Sequence, residues 1–353
     1  MKKNFLPCIA CLILITFTLT CSKPNQPYHK PLFLIQQLEF PTLGYPLSFD
    51  VSDEYLFVAE DAFGFSIFNQ SNAQLVQRLS NAVYLNASLN EINVKFNNAS
   101  FIKFIPELDF LMLVNNADMK LFSTSFKNPQ QPITTVNYLN FSANIYDIQY
   151  EIIPNNQEHF FAFWGSIESN NQKFFKNLVF TNPEPYEDYE PITNIEVPNE
   201  IRTIIKHQNY YFLAMGKSAI YIVANDQELS LIADIYPNGE ALSLQVYEQY
   251  LYVASRHAGL QIIDISDITN PIKLDNYSIN TVGLAKSLDI YQNYLALVTS
   301  TGGIHLFDLS QPEQPKLLER LVKPNDFYYQ VRFFNGELFV SSRSQGIVKY
   351  SLK

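Results

Sequence analysis

The chain has 353 residues, 47% of them hydrophobic, which excludes a short peptide-like fold and is enough for a large core. Its formal net charge of −10 argues against a nucleic-acid partner and against electrostatic attraction to anionic lipid. The 28 Phe and 22 Tyr, together with Val, Ile and Thr that alternate with polar residues, predict an all-β protein without long amphipathic helices.

The first 21 residues have the pattern of an export signal. Lys2 and Lys3 form a basic start, and residues 5–20 form an almost uncharged apolar run that is short for a membrane-spanning helix. The end of this run, TLTC at 18–21, resembles a bacterial lipobox. The resemblance implies that Cys21 is acylated and anchors the protein to a membrane.

This N-terminal pattern predicts three regions along the chain. Residues 1–21 form a lipoprotein-type signal peptide, 22–30 form a polar tether, and 31–353 form the folded domain. We therefore predict a protein of the bacterial cell envelope, in the outer membrane and facing the periplasm or the surface. Its only membrane contact would be the N-terminal lipid. An uncleaved N-terminal anchor and an ordinary cleaved signal are the alternatives.

The cysteines agree with this location. All three lie in the first 21 residues, so residues 22–353 contain neither a free thiol nor a disulfide, and an oxidising compartment poses no difficulty.

The folded region repeats itself with a period in the forties. Residues 250–274 and 294–318 share an aromatic start, an alternating strand, a small-residue turn, a second strand that ends in Asp, and a turn that contains Pro. Such a period, built from strands, predicts stacked four-stranded units with strands a, b, c and d. In the fifth unit we place strand a at 243–246, b at 251–254, c at 260–265 and d at 272–277.

Seven units can be counted from the residue that opens strand c. These residues are Gly64, Asp118, Phe175, Ala219, Gly259, Gly303 and Gly346. Insertions at 82–99 and around 165–173 lengthen the first two spacings.

The seventh unit lacks its fourth strand, and residues 31–40 form an apolar strand with no other place in the register. We therefore predict a closed seven-bladed β-propeller of four-stranded blades, in which this N-terminal strand completes the last blade. An open solenoid, which would leave residues 347–352 as an unpaired apolar edge, is the alternative.

Two segments carry a family resemblance. Residues 260–271 (LQIIDISDITNP) and 304–315 (IHLFDLSQPEQP) resemble the LVIVD repeat of bacterial and archaeal surface proteins. The resemblance implies a β-propeller exposed at the cell surface, and it brings no established catalytic residues. Asp264 and Asp308, which end strand c in these units, are expected to accept hydrogen bonds from turn N–H groups.

The inner strands supply two columns of polar residues for a central channel. The first column contains Ser48, Ser100, Asp147, Thr203, Ser243, Ser287 and Gln330. The second contains Asp50, Gln149, Gln245, Asp289 and Arg332. Because the acids are scattered and Arg332 opposes them, we predict neither a metal site nor a cofactor. The five His residues occupy non-equivalent positions in their units, which also disfavours a ring of metal ligands.

The b–c turns supply the candidate binding residues, since they share one face of a closed propeller. Lys217, Arg256, His257 and Arg343 form a predicted basic sector, and Arg332 is a further candidate in the channel. Acidic residues, Glu60, Asp61 and Asp118, fall on the other side of this face. A basic sector can bind a carboxylate, a phosphate or an acidic loop, whereas the alternative is that these are ordinary solvated charges.

These features predict a non-enzymatic, monomeric binding or scaffolding propeller that recognises a protein or an extracellular polymer through the turns of one face. No nucleophile, phosphate loop or catalytic residue can be identified. The alternatives are a hydrolase or lactonase-type enzyme centred on the channel and a sensor of a small anionic ligand.

Overall fold

The computed structural model describes residues 33–85, 90–115, 120–126, 131–140, 145–154, 159–169, 172–180 and 189–353. The predicted signal peptide and tether therefore lie outside the described residues, and so does Asp118. No helix among the described residues has the length and hydropathy needed to span a membrane.

Seven four-stranded antiparallel sheets, here called blades, account for most of the described residues. The chain begins with β1 (Leu34–Phe40), which belongs to the last blade. Blade 1 then contains β2 (Ser48–Val51), β3 (Tyr55–Ala59), β4 (Phe65–Asn69) and β5 (Leu75–Leu79). A hairpin of β6 (Asn81–Leu85) and β7 (Glu91–Lys95) separates it from blade 2.

The next three blades include the three longest strands of the described residues, all of them in blade 3. Blade 2 contains β8 (Ala99–Ile105), β9 (Phe110–Asn115), β10 (Lys120–Ser125) and β11 (Asn137–Asn140), with a 3₁₀ turn at Pro106–Leu108. Blade 3 contains β12 (Gln149–Pro154), β13 (His159–Ser169), β14 (Gln172–Phe180) and β15 (Tyr189–Val197). Blade 4 contains β16 (Thr203–His207), β17 (Tyr210–Ala214), β18 (Ile220–Ala224) and β19 (Leu231–Ile235).

The last three blades carry the clearest repeats. Blade 5 contains β20 (Ala241–Tyr247), β21 (Tyr250–Ser255), β22 (Gly259–Asp264) and β23 (Ile272–Lys273), followed by a 3₁₀ turn at Asp275–Tyr277. Blade 6 contains β24 (Ala285–Tyr291), β25 (Tyr294–Thr299), β26 (Gly303–Asp308) and β27 (Lys316–Leu321). Blade 7 contains β28 (Tyr328–Phe334), β29 (Glu337–Ser342) and β30 (Gly346–Leu352).

The N-terminal strand closes the ring, as the repeat count predicts. β1 pairs antiparallel with β30, with Leu34 opposite Leu352 and Phe40 opposite Ile347. The buried Phe40 ring then packs against Phe68 of blade 1 and Phe339 of blade 7, with centroid distances of 5.9 and 6.4 Å. An all-β, seven-bladed β-propeller is therefore confirmed, and no apolar edge is left at β30.

One strand differs from the sequence-based expectation, and the two insertions can now be located. The outer strand of blade 5 covers only Ile272–Lys273, because the chain turns into the 3₁₀ segment Asp275–Tyr277 where we expected strand d to continue. Within the insertion at 165–173, residues 165–169 belong to β13 and residues 172–173 belong to β14. The insertion at 82–99 forms the β6–β7 hairpin.

Glycine opens strand c for a steric reason. Gly303 and Gly346 have φ values of +86° and +79°, which L side chains rarely adopt. A Cβ atom at either position would lie 2.1 Å from a carbonyl oxygen of the neighbouring outer strand, that of Leu321 or Phe40. Strand c can therefore approach strand d closely only where no side chain is present.

Apolar side chains fill the space between adjacent blades. Phe212 and Ile222 of blade 4, for example, pack with Leu244 and Val253 of blade 5 in one buried cluster. The β-branched and aromatic residues that alternate along these strands thus bury one blade against the next, and the stability of the ring comes from these interfaces.

The strand order gives the ring two unlike ends. The a–b and c–d turns lie at one end, which we call the lower face. The b–c turns and the d–a connections lie at the other end, which we call the upper face. Each inner strand a begins at the upper face and ends at the lower face.

Candidate functional site

A cavity of about 720 Å³ occupies the channel at the centre of the inner strands. All seven residues of the first predicted polar column line it: Ser48, Ser100, Asp147, Thr203, Ser243, Ser287 and Gln330. Gln149, Gln245, Asp289 and Arg332 of the second column also line it. The alternation of side chains along the inner strands therefore locates the channel from sequence alone.

Most of these polar side chains join neighbouring blades. The hydroxyls of Ser243 and Ser287 each accept a hydrogen bond at 3.2 Å from a backbone N–H of the next inner strand, those of Leu288 and Val331. The side chain of Gln330 closes the ring in the same way, accepting from the Phe49 N–H at 2.8 Å. The polar column is thus part of the blade-to-blade framework.

The carboxylates of the channel also join neighbouring blades. Asp50 accepts from the Phe104 N–H at 3.0 Å, Asp147 from the Ile204 N–H at 2.8 Å, and Asp289 from the Phe333 N–H at 2.7 Å. Each also accepts a bond from the N–H of the residue that follows it. Their lone pairs are therefore largely directed at backbone donors rather than at a common point in the channel.

Burial raises the pKa of two of these carboxyl groups. Desolvation raises the pKa of Asp147 to about 6, although hydrogen bonds from backbone N–H groups act in the opposite direction. Burial raises the pKa of Asp289 as well. Within the described part of the chain, no group of three His, Cys, Asp or Glu residues is arranged to hold a metal ion.

Two cations lie beside these acids in the lower part of the channel. Arg332 donates to Asp50, and the Lys103 ammonium group lies 4.0 Å from the same carboxylate. Arg332, a predicted ligand-binding residue, thus faces the channel as expected but is already paired with a buried acid.

The upper end of the channel is basic. Arg202 and Lys286 both line the cavity there. The Arg202 guanidinium lies 3.9 Å from the centroid of the Tyr146 ring and donates to Glu200 at 3.2 Å. Lys286 lies in a β-bulge of β24, because Ala285 pairs with Thr299 and Ser287 pairs with Val298. The bulge places Lys286 and Ser287 together on the channel wall.

Two of the predicted basic residues converge on one acid at the upper face. Glu240 accepts from Arg256 at 2.8 Å and lies 3.7 Å from Lys217. The bond from Arg256 lowers the pKa of Glu240 below its usual value. Lys217 is 78% exposed and Arg256 38% exposed, while His257 is exposed beside them.

Arg343 lies apart from this group, on the other side of blade 6. Its guanidinium donates to the Tyr45 hydroxyl at 3.0 Å and lies 4.9 Å from the centroid of the Tyr45 ring and 5.9 Å from that of Phe327. Leu43, two residues before Tyr45, is exposed, and so is Phe63, whose ring lies near Gly44. We call these five residues the aromatic patch: Leu43, Tyr45, Phe63, Phe327 and Arg343.

The predicted acidic side of the upper face needs correction. Glu60 is fully buried, and its carboxylate accepts from Arg78 at 2.5 Å and from the Leu43 N–H at 2.8 Å. It anchors the connection at residues 41–47 from below. Asp61 is half-buried, and its backbone pairs with Ala99.

The predicted role of the two strand-ending Asp residues is confirmed. Asp264 accepts from the Ser266 N–H at 2.8 Å, and Asp308 accepts from the Ser310 N–H at 2.8 Å. His305 is buried, and burial lowers its pKa to about 4, so its imidazole is neutral.

Sequence reasoning missed Arg202 and Lys286. Both directly precede the first polar residue of their inner strands, Thr203 and Ser287. The same position holds Tyr146 in blade 3 and Tyr329 in blade 7, and all four side chains line the channel. Strict alternation would turn this position away from the channel, so the sequence pattern does not identify these four residues.

The ring of seven four-stranded blades around a polar channel defines a β-propeller. Two similar solved structures support this: the WD40 β-propeller domain of Doa1 (TM-score 0.60, 9% identity, 90% of this chain and 98% of that chain) and the computationally designed protein Ika8 (TM-score 0.57, 9% identity, 90% and 100%). The model of the LVIVD repeat family matches residues 238–278, which include blade 5. A search of curated proteins found no match. The chain is therefore a β-propeller, and its residues 238–278 match the LVIVD repeat.

Proposed function

We propose that the protein is a non-enzymatic binding or scaffolding propeller of a bacterial envelope, lipid-anchored through Cys21, whose upper face binds a protein partner. The β-propeller fold supports a binding or scaffold role in general. The export signal and the lipobox-like residues 18–21 support the anchor, and the absence of cysteine from 22–353 suits an oxidising compartment.

The observation that carries the proposal is the distribution of exposed apolar side chains. Among the described residues, every large hydrophobic side chain that is exposed on a turn lies at the upper face: Leu43, Tyr45, Phe63, Tyr236, Val282, Val322 and Phe327. Of the other exposed large hydrophobic residues, five lie on outer strands (Leu75, Val76, Leu231, Ile272 and Leu317), and Tyr277 lies in the 3₁₀ turn after β23. Apolar side chains gathered on one face favour contact with a partner.

The aromatic patch has the composition of a protein-binding surface. Tyr, Phe and Arg are enriched at interface centres, because they combine large apolar area with directional polar groups. Tyr45 and Arg343 hold one another by a hydrogen bond, so they are ordered before a partner arrives and lose less entropy on binding.

Affinity capture from the native envelope tests the proposal, with the full-length protein as bait beside Tyr45→Ala and Arg343→Ala variants. Gln227→Ala, an exposed residue of a lower-face turn, is the matched control. We expect the same protein to be recovered by the wild type and the control, and at least tenfold less of it by the patch variants. Equal recovery with all four baits would contradict the proposal, and recovery of polysaccharide in place of protein would favour the polymer alternative.

The anchor is tested separately. A Cys21→Ser variant is expected to lose incorporation of labelled palmitate and to leave the membrane fraction. A variant that keeps both label and membrane association would show that Cys21 is not the acylated residue.

A further inference from the structure

The upper end of the channel collects positive charge in an acidic protein. The whole chain has 24 Lys and Arg residues against 34 Asp and Glu. Four cations meet at this end: Arg202, Lys217, Arg256 and Lys286. The carboxylates that interact with them in the described residues are Glu200 and Glu240. Two positive charges are thus left over locally.

Lys286 is the cation without a counter-charge in contact. Its ammonium group makes no hydrogen bond and no ion pair with any residue that the structure describes, although the side chain is half-buried. Burial lowers its pKa, the nearby charges of Arg256 and Arg202 act in the same direction, and the Glu240 carboxylate opposes them only in part. A bound anion would relieve this repulsion.

Two arginines lie close enough to Lys286 for their charges to act on it. The buried Nε of Arg256 has no hydrogen-bond partner in the described part of the chain. Arg202 is held over the Tyr146 ring and bonded to Glu200, so its planar fork is fixed in position before any ligand binds. A fixed guanidinium can donate two parallel bonds to a carboxylate or a phosphate group.

We propose that the upper end of the channel binds a small oxyanion, a carboxylate or phosphate group, between Lys286 and Arg202, with Arg256 adding to the positive potential. The cavity of about 720 Å³ has the size of a small-molecule site. The channel carboxylates do not compete for these cations, because Asp147 and Asp289 accept from backbone N–H groups. This site involves none of the five residues of the aromatic patch and does not depend on a protein partner.

Isothermal titration calorimetry of the full-length protein tests the site, with inorganic phosphate in one arm and succinate in the other. The two arms distinguish a phosphate-bearing ligand from a carboxylate-bearing one. We expect saturable binding in at least one arm and affinity at least tenfold weaker in Lys286→Met, which keeps the length of the side chain and removes its charge. Lys316→Met, an exposed residue of β27, is the matched control and should bind like the wild type.

The melting temperature separates a lost site from a damaged fold. Because Lys286 is half-buried beside like charges, Lys286→Met should melt at the same temperature as the unliganded wild type or higher. Addition of the anion that binds should raise the melting temperature of the wild type but not that of Lys286→Met. Absence of saturable binding in both arms, or unchanged affinity in Lys286→Met, would overturn the proposal. Partner capture by Lys286→Met tests the proposed function separately. If capture is unchanged, the proposed partner binding stands whether or not the anion site exists.

Discussion

The turns at the two ends of the propeller are held by hydrogen bonds of opposite kinds. At the lower face, exposed acids and amides cap their own turns, as when Asp308 accepts from Ser310 two residues on and Asn72 accepts from Gln74. At the upper face, buried acids hold the connections from beneath. Glu60 bonds the N–H of Leu43, and Asp326 accepts from Ser342, Ser344 and the Phe327 N–H.

This difference determines which end can bind. A lower-face turn uses its polar groups locally, so its surface presents little that is free. An upper-face connection is fixed by groups inside the protein, and its outward side chains, such as Tyr45 and Phe327, remain available to a partner. The same four-stranded blade thus has a lower end whose polar groups bond within their own turns and an upper end whose outward side chains can contact a partner.

The largest expected effect comes from removing a buried anchor. Glu60→Ala leaves Arg78 and the Leu43 N–H without their acceptor, so we expect the free energy of unfolding to fall by about 3 kcal/mol. Asp308→Ala, the lower-face counterpart, should cost only about 0.5–1.5 kcal/mol, since water can replace its bonds. Urea denaturation measures both, and equal losses would remove the distinction between the two ends.

The next effect concerns turn conformation. Gly303→Ala places a Cβ atom against the Leu321 carbonyl at a φ of +86°, so the strained backbone alone should cost about 1–3 kcal/mol. Glu248 in a lower-face turn has a φ of +53°, which the turn tolerates, and Glu248→Gly should change stability by less than about 1 kcal/mol. A neutral Gly303→Ala in thermal denaturation would show that strands c and d can separate without cost.

The third effect is a difference in pH dependence. Asp147 has its pKa raised to about 6 from 3.8, so the native state binds its proton more readily and gains stability as pH falls through this window. Between pH 7 and 5, the stability advantage of the wild type over Asp147→Asn should therefore grow by about 1 kcal/mol.

Asp308 is the matched control for this titration. Hydrogen bonds from Ser310 lower its pKa, so it stabilises the native state above its usual pKa and loses this contribution only as pH falls below about 4. The difference between the wild type and Asp308→Asn should stay constant from pH 7 to 5. Parallel pH profiles for Asp147→Asn and Asp308→Asn would contradict the assignment.

The smallest effect on stability is expected at the binding surface. Arg343 is exposed, so Arg343→Ala should change the free energy of unfolding by less than about 0.5 kcal/mol while partner capture falls. A loss of stability comparable with that of Glu60→Ala would show that Arg343 stabilises the fold. It would contradict the role of Arg343 in binding a partner at the upper face.

Much of the architecture could be predicted because it depends on local patterns. The period of the strands gave seven blades, and the incomplete last unit identified residues 31–40 as the closing strand, which the pairing of β1 with β30 confirms. The alternation along the inner strands located the first polar column of the channel. The position of Asp264 and Asp308 at the end of strand c predicted that they accept hydrogen bonds from turn N–H groups. Each of these follows from side-chain periodicity or from hydrogen bonds between residues two apart.

The amino-acid sequence by itself thus determined the fold, its closure and the first polar column of the channel. Only the tertiary structure decided which charges meet. It buries Glu60 under a connection, brings Lys217 and Arg256 to Glu240, and leaves Arg343 with Tyr45. It also turns Lys286 into the channel through a bulge, which strict alternation cannot predict. Strand periodicity is local, whereas a charge cluster is built from several blades and depends on their packing.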